Sequence, residues 1–107
     1  DQNDNKSDLF VNFFAKLASS SKGTAAFHLL RKSPVVLVTC PYVGDHLEIT
    51  FQHITFELSG EQEKDTLEIS QKITSALENV IRKYPEQYFW MHRRWRARPT
   101  EDSERIY

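Results

Sequence analysis

"DTLEISQKITSALENVIRKYPEQYFWMHRRWRARP", residues 65 to 99, holds most of what this sequence says about fold and function. Its first half is helical. Ile69, Ile73, Ala76, Leu77, Val80 and Tyr84 recur at intervals of three and four, so they share one face of a helix with 3.6 residues per turn. Asp65, with Glu68 three residues on, has the capping-box pattern, and Pro85 cannot continue a helix. The spacing predicts a helix over 65–84. Its second half changes character. Between Arg82 and Arg98 six lysines and arginines stand against one acid, Glu86, with Trp90 and Trp95 among them. Arg93, Arg94, Arg96 and Arg98 can make charge-assisted, often bidentate bonds to phosphate or carboxylate. The tryptophans offer amphipathic faces of the kind that settle at membrane–water boundaries. Residue types alone leave three readings open: a solvated arginine run whose tryptophans close the core, a site for an anionic ligand or membrane surface, and a single-strand nucleic-acid surface.

Upstream, "VVLVTC" (35–40) is a continuous run rich in β-branched residues, as in a strand covered on both faces. "HLEITF" (46–51) alternates, with Leu47, Ile49 and Phe51 on one side; "HITFEL" (53–58) does the same with Ile54, Phe56 and Leu58. Gly44-Asp45 marks a turn, and Gln52 is a place for a bend or bulge. "SSSKGTAAFHLLRKSP" (19–34) reads as a helix over 21–33, with serine hydroxyls for capping, Arg31-Lys32 at the C-terminal dipole and Pro34 as the stop. "LFVNFFAKL" (9–17) has no clean period and reads as a short strand or buried loop. The expected architecture is α/β: a mixed sheet of three or four strands flanked by two helices.

A chain of 107 residues is one domain or a piece of one. A net charge of −1 excludes a globally basic nucleic-acid binder, so recognition of anions must be local. The single cysteine, Cys40, excludes an internal disulfide and reads as a small buried hydrophobe. No phosphate-binding glycine loop, nucleophile elbow or paired-histidine zinc motif is present. His53 and Glu57 share a strand face only because their separation is even, and His28 reads as a rim residue. His92 is followed by Arg93, which opposes its protonation. The residues assemble no nucleophile with its base, and no cofactor or metal is expected.

"IRKYPEQYFWMHRRW" (81–95) resembles the C-terminal signature of the lipid A biosynthesis (lauroyl/myristoyl) acyltransferases, which end in a helix followed by a Pro-Glu-Gln-aromatic run closing on His-Arg-Arg-Trp. "DQN" (1–3) resembles that family's Asp-Gln element, and "FVNFFAKLASSSKGTAAFHLLRKSPVV" (10–36) resembles its segment of Phe-Phe-Gly turn, helix start and strand. Here Ala15 stands where the family has the turn glycine, and Leu37 where it often has a second proline. The resemblance covers residues 1–95, leaving 96–107 as a basic-then-acidic tail. It implies the C-terminal part of a glycerolipid-acyltransferase-like fold in a bacterial inner-membrane enzyme working on the cytoplasmic face. Such an enzyme moves an acyl chain from acyl carrier protein to a hydroxyl of a lipid A precursor. The family's catalytic His-x4-Asp/Glu motif is expected upstream, since the chain opens on Asp1 and none of His28, His46, His53 or His92 has an acid five positions on. No catalytic residue is assigned within the chain. Substrate contacts are expected from Arg93, Arg94, His92, Trp95 and Lys22, with Trp90 as the packing tryptophan and Arg96 and Arg98 as general electrostatic contacts. Exposed apolar surface around Phe10, Phe13 and Phe14 would favour self-association. The competing function is a non-catalytic module for anionic glycolipid or membrane surface; the specific C-terminal run argues against nucleic acid.

Overall fold

The computed structural model describes residues 6–100 and 104–107, so the Asp-Gln element lies outside the described residues. The chain opens with a hairpin, β1 (Phe10–Phe13) and β2 (Lys16–Ser19), paired antiparallel with Phe13 opposite Lys16. That register leaves Phe14 and Ala15 as the whole turn, and both have positive φ, 50° and 61°. Two left-handed residues give a turn whose twist matches that of the flanking strands, which is why Asn and Gly dominate such loops. A phenylalanine and an alanine are held in it here. The irregular period of residues 9–17 thus reflects two short strands rather than one.

Helix α1 (Gly23–Arg31) follows, with the Ser21 hydroxyl accepting from the Gly23 N–H at 3.3 Å; Lys32, left-handed at φ 52°, ends it by donating to the His28 carbonyl. Strand β3 (Val35–Thr39) pairs antiparallel with β6 (Thr50–Ile54). Between them β4 (Tyr42–Val43) and β5 (His46–Leu47) form a small hairpin turned at Gly44-Asp45, as expected, with Gly44 at φ 65°. The strand run breaks at Glu48-Ile49, and Gln52 lies inside β6.

The fold is α/β with two helices, but the sheet is not mixed. Among the described residues there are three separate antiparallel pairs, β1–β2, β3–β6 and β4–β5. Parallel pairing needs a crossover that brings the chain back to its starting end. The only excursion between β3 and β6 is the β4–β5 hairpin, which returns the chain reversed. Nor is β3 covered on both faces. Val35, Leu37 and Thr39 are half-buried, whereas Val36 and Val38 are exposed. Leu47, Ile49 and Phe51, expected inside, are 53%, 61% and 70% exposed, and Cys40 is exposed too.

Helix α2 (Gln62–Lys83) packs on β1, α1 and β3. It begins four residues earlier than the capping box predicts, with Glu61 rather than Asp65 at the N-cap. Asp65 instead lies within the helix and turns back to the approach loop. Its carboxylate accepts from the Ser59 N–H (2.7 Å), the Ser59 hydroxyl (2.9 Å) and the Gly60 N–H (3.0 Å). These bonds, the Ser59 amide first, hold its carboxyl below the usual range despite the opposing effect of burial.

Phe13, Ala18 and Ile81 form the core cluster, with Phe14, Leu77, Tyr88 and Trp95 packed around it. Phe13 is fully buried and Phe10 and Phe14 are half-buried, so the expected exposed ring patch does not form there. Two glutamines tie strands to their neighbours. Gln71 of α2 accepts from the Asn12 N–H (2.8 Å) and donates to its carbonyl (2.9 Å). Gln87 does the same for Tyr42 of β4, at 2.8 and 3.0 Å.

Candidate functional site

Past α2 the chain runs through two single 3-10 turns, Pro85–Gln87 and Trp90–His92. Pro85 forces this break, and Gln87 fixes its position against β4. From there three side chains reach back to carbonyls of the first hairpin. The Trp95 indole N–H donates to Phe13 (3.1 Å), Arg94 Nη1 to Ser19 (2.6 Å) and Arg98 Nη1 to Leu17 (2.7 Å). The Trp95 ring also stacks on Phe13, with centroids 5.2 Å apart. The packing tryptophan is therefore Trp95. Trp90, expected in that role, is 41% exposed, though its ring meets Tyr88 and Phe14 and stacks on Trp95.

Arg94 is only 3% exposed, its guanidinium lying 5.6 Å from the Phe13 ring centroid. Burial lowers its pKa from the ordinary arginine value, and burial likewise pushes the Tyr88 phenol up to about 12. Both shifts reflect lost hydration of a charged form. Expected at the ligand surface, Arg94 faces the protein interior. His92 is half-buried with both ring nitrogens engaged: Nδ1 meets the Phe89 carbonyl and Nε2 the Tyr88 hydroxyl at 3.3 Å. A carbonyl can only accept, so Nδ1 carries a proton towards Phe89. The ring is a structural link between Tyr88 and Phe89.

The outward-facing cations lie together. Arg93, left-handed at φ 55°, turns its neighbour Arg94 inward and itself faces solvent, with its guanidinium 5.9 Å from the Tyr107 ring centroid. Arg93, Arg96, Arg98 and Arg105 line a cleft of about 560 Å³ together with Trp95, Thr100, Ile106 and Tyr107. Tyr107 is held by the Trp95 amide, which donates to its hydroxyl at 3.1 Å. Four guanidinium groups and no side-chain carboxylate are among these lining residues. The Arg98 Nε is enclosed and has no hydrogen-bond partner among the described residues. Of the expected contacts the cleft brings together Arg93 and Trp95, and it adds Arg96, Arg98 and Arg105. Arg105 carried no sequence signal, since it sits in a tail without period. Lys22 is elsewhere: it precedes α1, pairs with Asp8, and lines a hollow with Leu9, Gln62, Glu63 and Thr66.

The arrangement is an aromatic-floored, arginine-lined cleft on a small α/β scaffold. The sequence model of the bacterial lipid A biosynthesis acyltransferase family matches residues 1–97, and the chain belongs to that family. Among curated relatives, a lipid A biosynthesis palmitoleoyltransferase of Escherichia coli (strain K12) is 29% identical over 99 residues. A lipid A biosynthesis acyltransferase of Shigella flexneri is likewise 29% identical over 99 residues. Each alignment covers 92% of this chain and 32% of the relative, so the chain spans about a third of the length of the curated relatives it matches. No solved structure matches it. Among the described residues no helix is long and apolar enough to cross a membrane.

Proposed function

We propose that this chain is the C-terminal part of an acyltransferase that moves a fatty acyl group from acyl carrier protein to a hydroxyl of a phosphorylated lipid A precursor. The reaction would run at the cytoplasmic face of the bacterial inner membrane. The family match over residues 1–97 and the names of the two relatives support the reaction class. The observation that supports a role for this chain in it is the cleft of Arg93, Arg96, Arg98 and Arg105, a cationic patch on a protein whose net charge is −1.

In this reading the cleft binds phosphate oxygens of the glycolipid. Guanidinium forks match phosphate geometry, and the partly enclosed site weakens screening by salt. Trp95 forms the floor, and Arg94 and His92 hold the segment from behind. The base that takes the proton from the acceptor hydroxyl is the histidine of a His-x4-Asp/Glu motif preceding this chain, oriented by its acid. The purified 107-residue chain, given acyl carrier protein thioester and lipid A precursor, is expected to transfer nothing; turnover would overturn this assignment. In a parent reading frame containing the motif, Arg96→Ala or Arg105→Ala should lower kcat/KM by the ~1.5–3 kcal/mol of a charge-assisted contact. Melting temperature should hold. Loss of fold without a selective kinetic defect would make these arginines structural.

A further inference from the structure

The turn that precedes the cleft exposes three consecutive apolar residues: Phe89, Trp90 and Met91 are 63%, 41% and 79% accessible. Part of the turn's hydrogen bonding is met within the turn itself. Trp90 N–H donates to the Tyr88 carbonyl (3.0 Å), His92 N–H to the Phe89 carbonyl (3.4 Å), and Tyr88 N–H to the Pro85 carbonyl (3.4 Å). The Trp90 indole N–H donates to the Pro85 carbonyl at 2.8 Å. Its polar handle is thus satisfied within the chain, and burying the ring in an apolar medium would strand no donor. Trp90 stacks on Trp95, which floors the cationic cleft, so the apolar turn and the arginines adjoin. On its other side Trp90 meets Phe14, whose ring lies under the Arg82 guanidinium at 4.8 Å. Between Lys83 and Thr100 the sole acid is Glu86.

From this juxtaposition we propose that Phe89, Trp90 and Met91 form a membrane-docking turn. It enters the headgroup–acyl boundary of an anionic bilayer while Arg93, Arg96 and Arg105 meet the lipid phosphates around it. Exposed apolar side chains, an indole N–H already bonded within the chain and a rim of arginine are what an interfacial element needs. Charge complementarity selects anionic lipid, because exposed basic residues near such a surface each add attraction that falls off within a Debye length. The outer face of β3–β6 is also apolar and exposed, but β3 and β6 contain no lysine or arginine, so it lacks the second half of this signal.

The proposal rests on the membrane side of the reading above and is tested apart from it, using vesicles that carry no lipid A precursor. The 107-residue chain should co-sediment with phosphatidylglycerol–phosphatidylethanolamine vesicles and not with phosphatidylcholine vesicles. Phe89→Ser combined with Met91→Ser should reduce partitioning at least about tenfold at an unchanged melting temperature, since both residues are exposed. Phe51→Ser, on the sheet face, should leave partitioning unchanged. Undiminished partitioning of the double variant overturns the proposal, as does equal loss with Phe51→Ser. Release of the wild-type chain by millimolar inorganic phosphate alone also overturns it, because the cleft would then be binding phosphate without an inserted turn. Salt-sensitive oligonucleotide binding without vesicle binding would do so too. None of these failures touches the acyl-transfer assignment, which the parent enzyme's own turnover decides.

Discussion

Two apolar regions of this molecule have opposite fates. At the junction of the first hairpin with the C-terminal segment, Phe13 is enclosed by Phe14, Tyr88 and Trp95, and the carbonyls of Phe13, Leu17 and Ser19 each receive a side-chain donor. In the β3–β6 pair the inner face is partly covered, with Val35, Leu37 and Thr39 half-buried and Ile54 buried, while Val36, Val38 and Phe51 look outward and are exposed. Both regions are rich in large apolar side chains. What separates them is a second layer: residues 85–98 double back over the hairpin, and among the described residues no segment doubles back over the outer face of the sheet. Hydrophobicity sets what would gain from cover, and topology decides what receives it.

The contrast can be broken most forcefully at Trp95. Trp95→Ala removes a stacked ring and the donor to Phe13, and should cost about 3–5 kcal/mol by urea denaturation, as for other large-to-small core changes. A cost below ~1 kcal/mol would mean the junction is not the stabilising centre. Next comes Arg94→Met, which deletes the buried donor to Ser19. It should cost about 1.5–3 kcal/mol, offset in part because burying a guanidinium already carries a desolvation penalty. An outcome nearer zero would place the buried cation among those retained for reasons other than stability. Ala15→Gly should act the other way, raising stability by ~1 kcal/mol by relieving a left-handed alanine; a loss would show that the hairpin tolerates that conformation freely. The smallest effect is expected on the sheet. Phe51→Ser should change stability by less than ~0.5 kcal/mol while reducing self-association, read by sedimentation velocity. A large destabilisation there would mean that Phe51 is covered in solution.

The long helix was the most legible element, because six apolar positions repeat its period and Pro85 ends it. Its start was less so, since an aspartate that bonds backward to Ser59 and Gly60 looks the same in sequence as one that caps forward. The presence of strands was legible too, but neither their extents nor their cover was: β6 stops at Ile54, short of the alternation over 53–58, and Leu47, Ile49 and Phe51 alternate as a core-facing set would, and stay exposed. At the candidate site the cationic character of residues 93–98 could be read directly. Which arginine points inward could not, because the left-handed turn at Arg93 that reverses the side-chain order is carried by a residue with no preference for it. The same limit exchanged the roles of Trp90 and Trp95. Phe14-Ala15 hid the hairpin for a related reason, as neither residue advertises positive φ.

The two glutamines that bridge Asn12 and Tyr42 have a consequence for how this protein meets others of its kind. A primary amide presents one acceptor and one donor at nearly the spacing of a peptide group, so each glutamine stands in for a neighbouring strand that is one residue long. The outward N–H and C=O of Asn12 and Tyr42 are thereby already occupied, at the points where a second extended chain would begin to zip onto β1 or β4. Conversion of either side chain to glutamate keeps its shape but removes the donor, leaving a strand carbonyl open beside a new negative charge. The protection of two sheet edges against templated pairing therefore hangs on one nitrogen atom apiece.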